Sequence, residues 1–370
     1  MSVRATSIAE RVAPVSAEAR PVGPAPLVAD LDEAGLLAAF TPLLPASDQQ
    51  LVGNGDDAAV LAAPDGRYVV STDVLVEGRH FRTDWSSPEQ VGRRAAAQNL
   101  ADVMGMGARP TALVVSLVLP GTTPLAWVQG LARGLGEACR EAGAGVVGGD
   151  LSSGDQLVIA VTVHGDLEGR APVLRGGAHP GDLLVHAGDL GVSRAGHALL
   201  SAGCEPTLLP AGSQARRCVE RFLAPAPPLG AGPALATAGA SAMMDVSDSL
   251  LRDCARLAQA SGVLIDLDEP AGQPGDSLSR MAAARAALEP VAALAGEQDP
   301  ASAARTWVLT GGEDHGLLAT VALGTVLPQG VSPIGRVRAV EETGQPSGAP
   351  GVLVGARPWR GGLGWDHFGA

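Results

Sequence analysis

The 370-residue chain has no lysine, so all 26 of its basic residues are arginine. That absence excludes a Walker A loop, the strand lysine of protein kinases and any lysine Schiff base, each of which needs an amine. Aromatic residues make up only 3% of the chain, leaving few side chains able to stack on a planar ligand. The four cysteines, Cys139, Cys204, Cys218 and Cys254, form no C-x-x-C pair. Neither a zinc knuckle nor a disulfide framework can be read from them, and they are expected to be buried thiols in a reducing compartment. No stretch approaches the roughly 20 apolar residues of a membrane span, and residues 1–26 lack the apolar run of a signal peptide. A cytoplasmic protein is expected, with no membrane partner and with residues 1–26 as a disordered tail that takes no part in chemistry. Positive charge is also short: 39 acidic residues against 26 basic give a formal charge of −13, which argues against a nucleic-acid partner.

What is present is an ordinary globular composition, 46% hydrophobic and long enough for two domains with a core each. With 49 glycines and 28 prolines, punctuation places the elements better than periodicity does. Ser87-Pro88-Glu89-Gln90 reads as an N-cap, a proline at the first helical position and a capping-box glutamine, opening a helix to about Met104. Thr111 to Leu119 is a β-branched apolar run and therefore a buried strand. Thr123-Pro124 then caps a helix that Gly143 ends, and Gln156 to His164 gives a further strand. A second unit begins near Glu168. It is expected to hold strands at 182–186, 242–245, 263–267 and 317–321, helices near 193–201, 213–222 and 249–259, and a Pro-rich loop over 224–233. The Ala-rich stretch 270–305 reads as one or two surface helices. Alternating strands and helices indicate an α/β core.

The aspartates fall repeatedly at the ends of apolar strands or in Gly-rich turns, where backbone can approach a ligand. Gly53-Asn54-Gly55-Asp56-Asp57 puts two carboxylates between glycines and a strand. Val69 to Asp73 ends a strand on Ser71, Thr72 and Asp73. Asn99 and Asp102 lie three apart on one helix face. Gly148-Gly149-Asp150 and Asp245-Val246-Ser247-Asp248 repeat the pattern, and Gly311-Gly312-Glu313-Asp314 adds a late acidic turn. Any one of these is an ordinary Asx-turn or helix cap. Together they are the hard oxygen ligands Mg²⁺ takes with water and substrate phosphates, and such a cluster would repel itself and a nucleotide unless divalent ions lay between. Several metal ions and a polyphosphate are implied.

The ordered motifs GNGDDAAVL, STDVLVEGRHF, NLADVMGMGARP, VGGD, LRGGAHPGD, MMDVSDSLLRD, LTGGEDHGLL and GWDHF resemble those of the thiamine-monophosphate kinase family, from about residue 30 to residue 368. The resemblance implies a mixed α/β, two-domain architecture like that of aminoimidazole ribonucleotide synthetase. Residues 27–168 would form an ATP- and Mg²⁺-binding domain whose sheet makes a homodimer, and residues 169–370 a C-terminal α/β domain. It implies ATP-dependent phosphorylation of thiamine monophosphate to the diphosphate. Matched motif by motif, Asp57, Ser71, Thr72, Asp73, Asp102, Asp150, Asp245 and Asp248 correspond to the Mg²⁺ set. Gly149, Asp150, Arg175 and Ser247 correspond to nucleotide contacts, and His80, Glu313 and Trp365 to contacts with thiamine monophosphate.

Because the acceptor would already be a phosphate oxyanion, the chemistry asks for positioning and charge neutralisation rather than a strong base, and direct in-line transfer without a phosphoenzyme is expected. The chain departs from the family pattern at Ser249, where glycine is usual, at Asn54, at His315-Gly316, and at Leu151-Ser152-Ser153-Gly154. The alternative readings are another ATP-dependent enzyme of the aminoimidazole ribonucleotide synthetase-like superfamily and a multi-metal phosphohydrolase using the same carboxylates on water.

Overall fold

The computed structural model describes residues 26–52, 58–271, 279–343, 350–359 and 361–364. The tail 1–25 and the carboxylates Asp56 and Asp57 lie outside the described residues, as does Trp365. Among the described residues no helix is long and apolar enough to cross a membrane.

The first half opens with α1 (Glu33–Phe40) and a small antiparallel pair, β1 (Gln50–Val52) with β2 (Val60–Leu61). Its main sheet has the order β3 (Val69–Val76), β6 (Val158–Asp166), β4 (Arg109–Leu119), β5 (Gly145–Ser153). Only the β4–β5 pair is parallel. Strand alternation gives the sheet two unlike faces. Leu113, Val115 and Leu117 of β4 with Ile159, Val161 and Val163 of β6 are buried beneath α2 (Pro88–Gly105) and α3 (Leu125–Ala142). The other face carries Val70 and Val74, 55% and 48% exposed, with half-buried Val114, Ala160 and Thr162.

Helix α2 begins as its sequence dictates. Ser87 Oγ accepts the Gln90 N–H at 3.3 Å and the Gln90 side chain accepts the Ser87 N–H at 2.9 Å. Its alanine-rich middle lets it sink between the sheets and α3. A Cβ at Gly92 would stand 2.1 Å from the Leu131 carbonyl oxygen, and one at Gly134 1.9 Å from that of Glu89, so α2 and α3 touch backbone to backbone. At α3 the expectation needs a correction: Pro124 is itself the N-cap, and since proline has no side-chain acceptor the helix starts without a side-chain cap. Gly143 ends the helix in the left-handed region as expected, at φ 69°.

The second half builds a seven-stranded mixed sheet in the order β13 (Arg357–Pro358), β12 (Gly351–Val354), β9 (Leu264–Leu267), β11 (Val331–Arg338), β7 (Leu183–Ala187), β10 (Gly316–Val321), β8 (Ala242–Val246). Helices α4 (Val192–Ser201), α5 (Gln214–Leu223), α7 (Leu250–Ser261), α8 (Arg280–Leu294) and α9 (Pro300–Thr310) share its larger core. The short α6 (Ala231–Thr237) starts inside the stretch expected to be loop, with Pro233 accommodated in its first turn. α8 and α9 correct the expectation of surface helices over 270–305: Met281, Leu288, Val291, Trp307 and Val308 are all buried in that core. Alanine at most other positions hides the apolar stripe in the sequence while permitting close packing. Strands β11 to β13 had no expectation. Of the four free cysteines, Cys139, Cys218 and Cys254 are buried and Cys204 is half-buried.

α2 joins the halves. It packs on β3 and β6 of the first sheet and on β8 and β10 of the second, and a Cβ at its last residue, Gly105, would lie 3.0 Å from the Asp245 backbone nitrogen. The C-terminal end of β8 and one face of β3 therefore meet along a single helix.

Candidate active site

Along α2, Arg94, Gln98 and Asp102 recur at i, i+4 and i+8, with Asn99 beside them, and all four reach the junction. Ser71 Oγ donates to Asp102 Oδ2 at 2.5 Å. The Asp73 N–H donates to Asn99 Oδ1 at 3.1 Å, and Gln98 Nε2 donates to Asp73 Oδ2 at 3.3 Å. Asn99 is fully buried and turns its own Nδ2 to the Ala95 carbonyl at 2.9 Å, which locks the amide that receives β3. Asp73 lies inside β3 rather than at its end, as the strand continues to Val76.

Asp245 closes the group from β8 and is 6% exposed. Burial above all, and then repulsion from Asp102, Asp253 and Asp73, pushes its carboxyl well above the ordinary range, with Arg175 offsetting part. Burial likewise pushes Asp102 up to about 6, with Asp73 adding to the rise and Ser71 and Arg175 opposing it. Carboxylates from both halves thus lie close enough to raise one another's pKa, with the exposed Arg175 partly offsetting them. Among the described residues no three acidic, histidine or cysteine side chains close round a single point. An open, all-oxygen set of this kind fits a divalent ion that keeps water and phosphate oxygens in its shell, rather than an ion caged by protein.

The loop after β8 is held from below. Asp253, fully buried in the first turn of α7, accepts the N–H groups of Ser247, Asp248 and Ser249 at 3.1, 3.2 and 3.3 Å. Arg256 bridges Asp253 and Asp248 at 2.6 Å each, so Asp248 is already engaged by a cation. Ser249 caps α7 by accepting the Arg252 N–H at 3.0 Å and donates its hydroxyl to the Leu363 carbonyl. The family departure at this position therefore ties the C-terminal segment to the site loop. Gly312 passes over the same loop, where a Cβ would lie 2.7 and 2.8 Å from the Ser247 and Asp248 carbonyl oxygens.

Glu313 and His315 are both left-handed, at φ 68° and 48°, in a region that costs a non-glycine residue free energy and collects at functional sites. The Glu313 N–H donates to the Ser247 carbonyl at 2.8 Å, and its carboxylate pairs with Arg94. Burial opposes ionisation of Glu313, but Arg94, with His315 and His80, holds its carboxyl below the usual range. His80 is fixed by accepting the Val76 N–H on Nδ1 at 2.9 Å. His315 is 4% exposed, and neither of its ring nitrogens has a hydrogen-bond partner. Asp314 turns away to accept the N–H groups of Gly191 and Ser193 at the start of α4.

Of the residues expected from sequence, Ser71, Asp73, Asp102 and Asp245 come together along α2, with the Ser247–Asp248 loop beside them, and the exposed Arg175 lies within reach of their charge. His80 and Glu313 form a neighbouring group. Thr72 does not join by its side chain, since alternation turns it to the opposite face, where it donates to the Val161 carbonyl at 2.9 Å. Nor do Gly149 and Asp150. They lie inside β5 rather than in a turn, at the far edge from β3, and Asp150 pairs in register with Ser116 on the sheet's open face. Arg94, Gln98, Asn99 and Asp253 had no expected role, Asn99 having been noted only for sharing a helix face with Asp102. The i, i+4, i+8 spacing with Asp102 was the available signal for Arg94 and Gln98, and an acid four residues past a capping serine for Asp253.

Residues 55–167 match the family described as AIR synthase related protein, N-terminal domain. The chain is 48% identical to the thiamine-monophosphate kinase of Mycobacterium tuberculosis (strain H37Rv), over 86% of this chain and 86% of that protein. It superposes on the crystal structure of the thiamine-monophosphate kinase of Stenotrophomonas maltophilia with a TM-score of 0.69 and 27% identity, covering 84% of this chain and 93% of the other. A solved complex of AaThiL with AMPPCP and TMP gives a TM-score of 0.68 and 30% identity, covering 81% of this chain and 87% of that one.

Proposed function

The chain belongs to the thiamine-monophosphate kinase family, and from that premise we propose that it transfers the terminal phosphoryl group of ATP directly to the phosphate of thiamine monophosphate. The observation that carries the reading is the gathering of Asp73 and Asp102 along α2 with Asp245, whose backbone nitrogen abuts the end of the same helix, beside the Glu313–His80 group. The solved relative that holds AMPPCP and TMP supports ATP and thiamine monophosphate as the two substrates.

Divalent ions, Mg²⁺ by the hardness of the donors, would be held by Asp73, Asp102 and Asp245, with Ser71, Asp248 and Asp57 near them in the motif order; when bound they supply the charge neutralisation a polyphosphate needs. The protein's own part is placement. Arg175 offers a guanidinium fork to a phosphate. Glu313 is read as facing the aminopyrimidine or the cationic ring of the acceptor, and His80, whose Nδ1 accepts the Val76 N–H, as a second contact with it. Trp365 is read as a further acceptor contact. No side chain is assigned as a base, because the attacking group is already an oxyanion.

We read residues 27–168 and 169–370 as two domains, each supported by its own sheet, and the enzyme as a homodimer. The open face of the first sheet, with Val70 and Val74 exposed, supports pairing of two copies there. Gly149 and Asp150 lie on or beside that face, so any nucleotide contact they make belongs to the assembled dimer.

The test is a coupled assay with ATP and Mg²⁺, resolving products with and without thiamine monophosphate. ADP and thiamine diphosphate forming in step support the reading, whereas equal ADP without acceptor points to a phosphohydrolase and no ADP in either mixture refutes the kinase.

A further inference from the structure

The largest fully buried side chain described is an arginine, Arg94, at 2% exposure on α2. A buried guanidinium is costly unless its charge is paired and its donors are used. Arg94 gives Nη1 to the Glu313 carboxylate and Nη2 to the Phe222 carbonyl, with its guanidinium carbon 5.0 Å from the centre of the Phe222 ring; only Nε is left without a partner. Glu313, by contrast, keeps its side chain 44% exposed. One carboxylate oxygen is anchored on Arg94 while the side chain as a whole stays half-exposed. The Glu313 backbone is fixed separately, through its N–H to Ser247.

We propose that Arg94 is a positioning residue for the kinase reaction: it clamps Glu313 in one orientation for the acceptor and fixes it, through the rigid α2, relative to Asp102. The reasoning rests on the reading of Glu313 as an acceptor contact. Asp102 follows Arg94 by eight residues, about 12 Å along the helix axis. One element thus sets the distance between the acceptor's recognition group and the carboxylates that serve the polyphosphate. A 1 Å error in such a distance is enough to slow a reaction that depends on alignment. Because Phe222 and Glu313 both belong to the second half, the arginine also holds the two halves in register at the site.

The experiment is a double-mutant cycle in steady-state kinetics on the full chain, varying thiamine monophosphate and ATP separately for Arg94→Met, Glu313→Gln, the double variant and Arg94→Lys. Each of the first two is expected to raise the KM for thiamine monophosphate about 10-fold, with the KM for ATP changed less than about 3-fold, and the double variant to be no worse than about the larger single effect. Arg94→Lys keeps the charge without the fork and should recover part of the loss. Effects that multiply in the double variant overturn the proposal. So does an Arg94→Met enzyme with a normal or lowered KM, because a carboxylate acting by charge alone binds a cationic acceptor more tightly once the arginine is gone. An unchanged KM in Glu313→Gln refutes the acceptor reading of Glu313 itself, and the proposal with it. If Arg94→Met does not fold, the same cycle with Arg94→Lys decides, since a purely structural arginine replaced by lysine lowers the melting temperature without splitting the two KM values.

Discussion

His186 sits on β7 with no exposed surface, and neither ring nitrogen has a hydrogen-bond partner. Gly316 on the neighbouring strand makes room for the ring: a Cβ there would stand 2.5 Å from His186 Nε2. Burial, helped by the charge of Arg280, pushes the imidazole down from 6.5 to about 3. Folding therefore keeps this side chain neutral at any pH above about 3, while the unfolded chain takes up a proton below 6.5. The resulting stability is complete above pH 6.5 and is lost as the pH falls. Worked from those two values, unfolding at pH 5 is favoured by about 2 kcal/mol relative to pH 7.5 from this one residue. The perturbation is His186→Leu, which removes the titrating group and keeps an apolar filling. The assay is urea unfolding of both proteins at the two pH values. Because every other titrating group is shared, the difference between the two pH dependences isolates His186. The wild type should lose about 2 kcal/mol more than the variant on going to pH 5, and at pH 7.5 the leucine protein should be no less stable. Parallel losses in the two proteins would refute the argument, since they would mean that the folded ring is reached by protons.

Gly134→Ala should destabilise the protein by about 3 kcal/mol, because its Cβ would meet the Glu89 backbone rather than a side chain that can swing aside; a melting temperature within a degree of wild type contradicts that packing. Asp73→Asn and Asp102→Asn should each abolish turnover and remove any Mg²⁺-dependent rise in melting temperature while leaving circular dichroism unchanged, and near-normal activity in both variants would overturn the metal assignment. Ser249→Ala removes a helix cap and the tie to Leu363, and should cost about 1 kcal/mol in urea titrations.

Much of the site was legible in the chain because its signals are local. A serine, a proline and a glutamine in four residues suffice to start α2, since the capping box is completed within one turn. Asn99 and Asp102 share a face by helical spacing alone, and the structure points both at β3. The errors have local causes too. In the sequence Asp73 and Asp150 look like strand ends because each carboxylate follows an apolar run. Here alternation carries each strand past it, and Asp150 and Thr72 finish on a different face from Asp73. The helices of 280–310 looked solvent-facing because alanine carries little apolar contrast, yet a few large residues, Trp307 among them, are enough to sink them into the core.

The sequence by itself determined which chemistry the chain excludes, which segments become helix or strand over most of its length, and which oxygen donors are available, since composition, capping and strand runs act over a few residues. Only the tertiary structure decided which donors meet. Arg94 reaching Glu313 across 219 positions, and Asp245 sharing its burial with Asp102, depend on a helix packed against two sheets at once. A contact of that kind is set by the sum of many apolar packing choices, and no short window of sequence contains it.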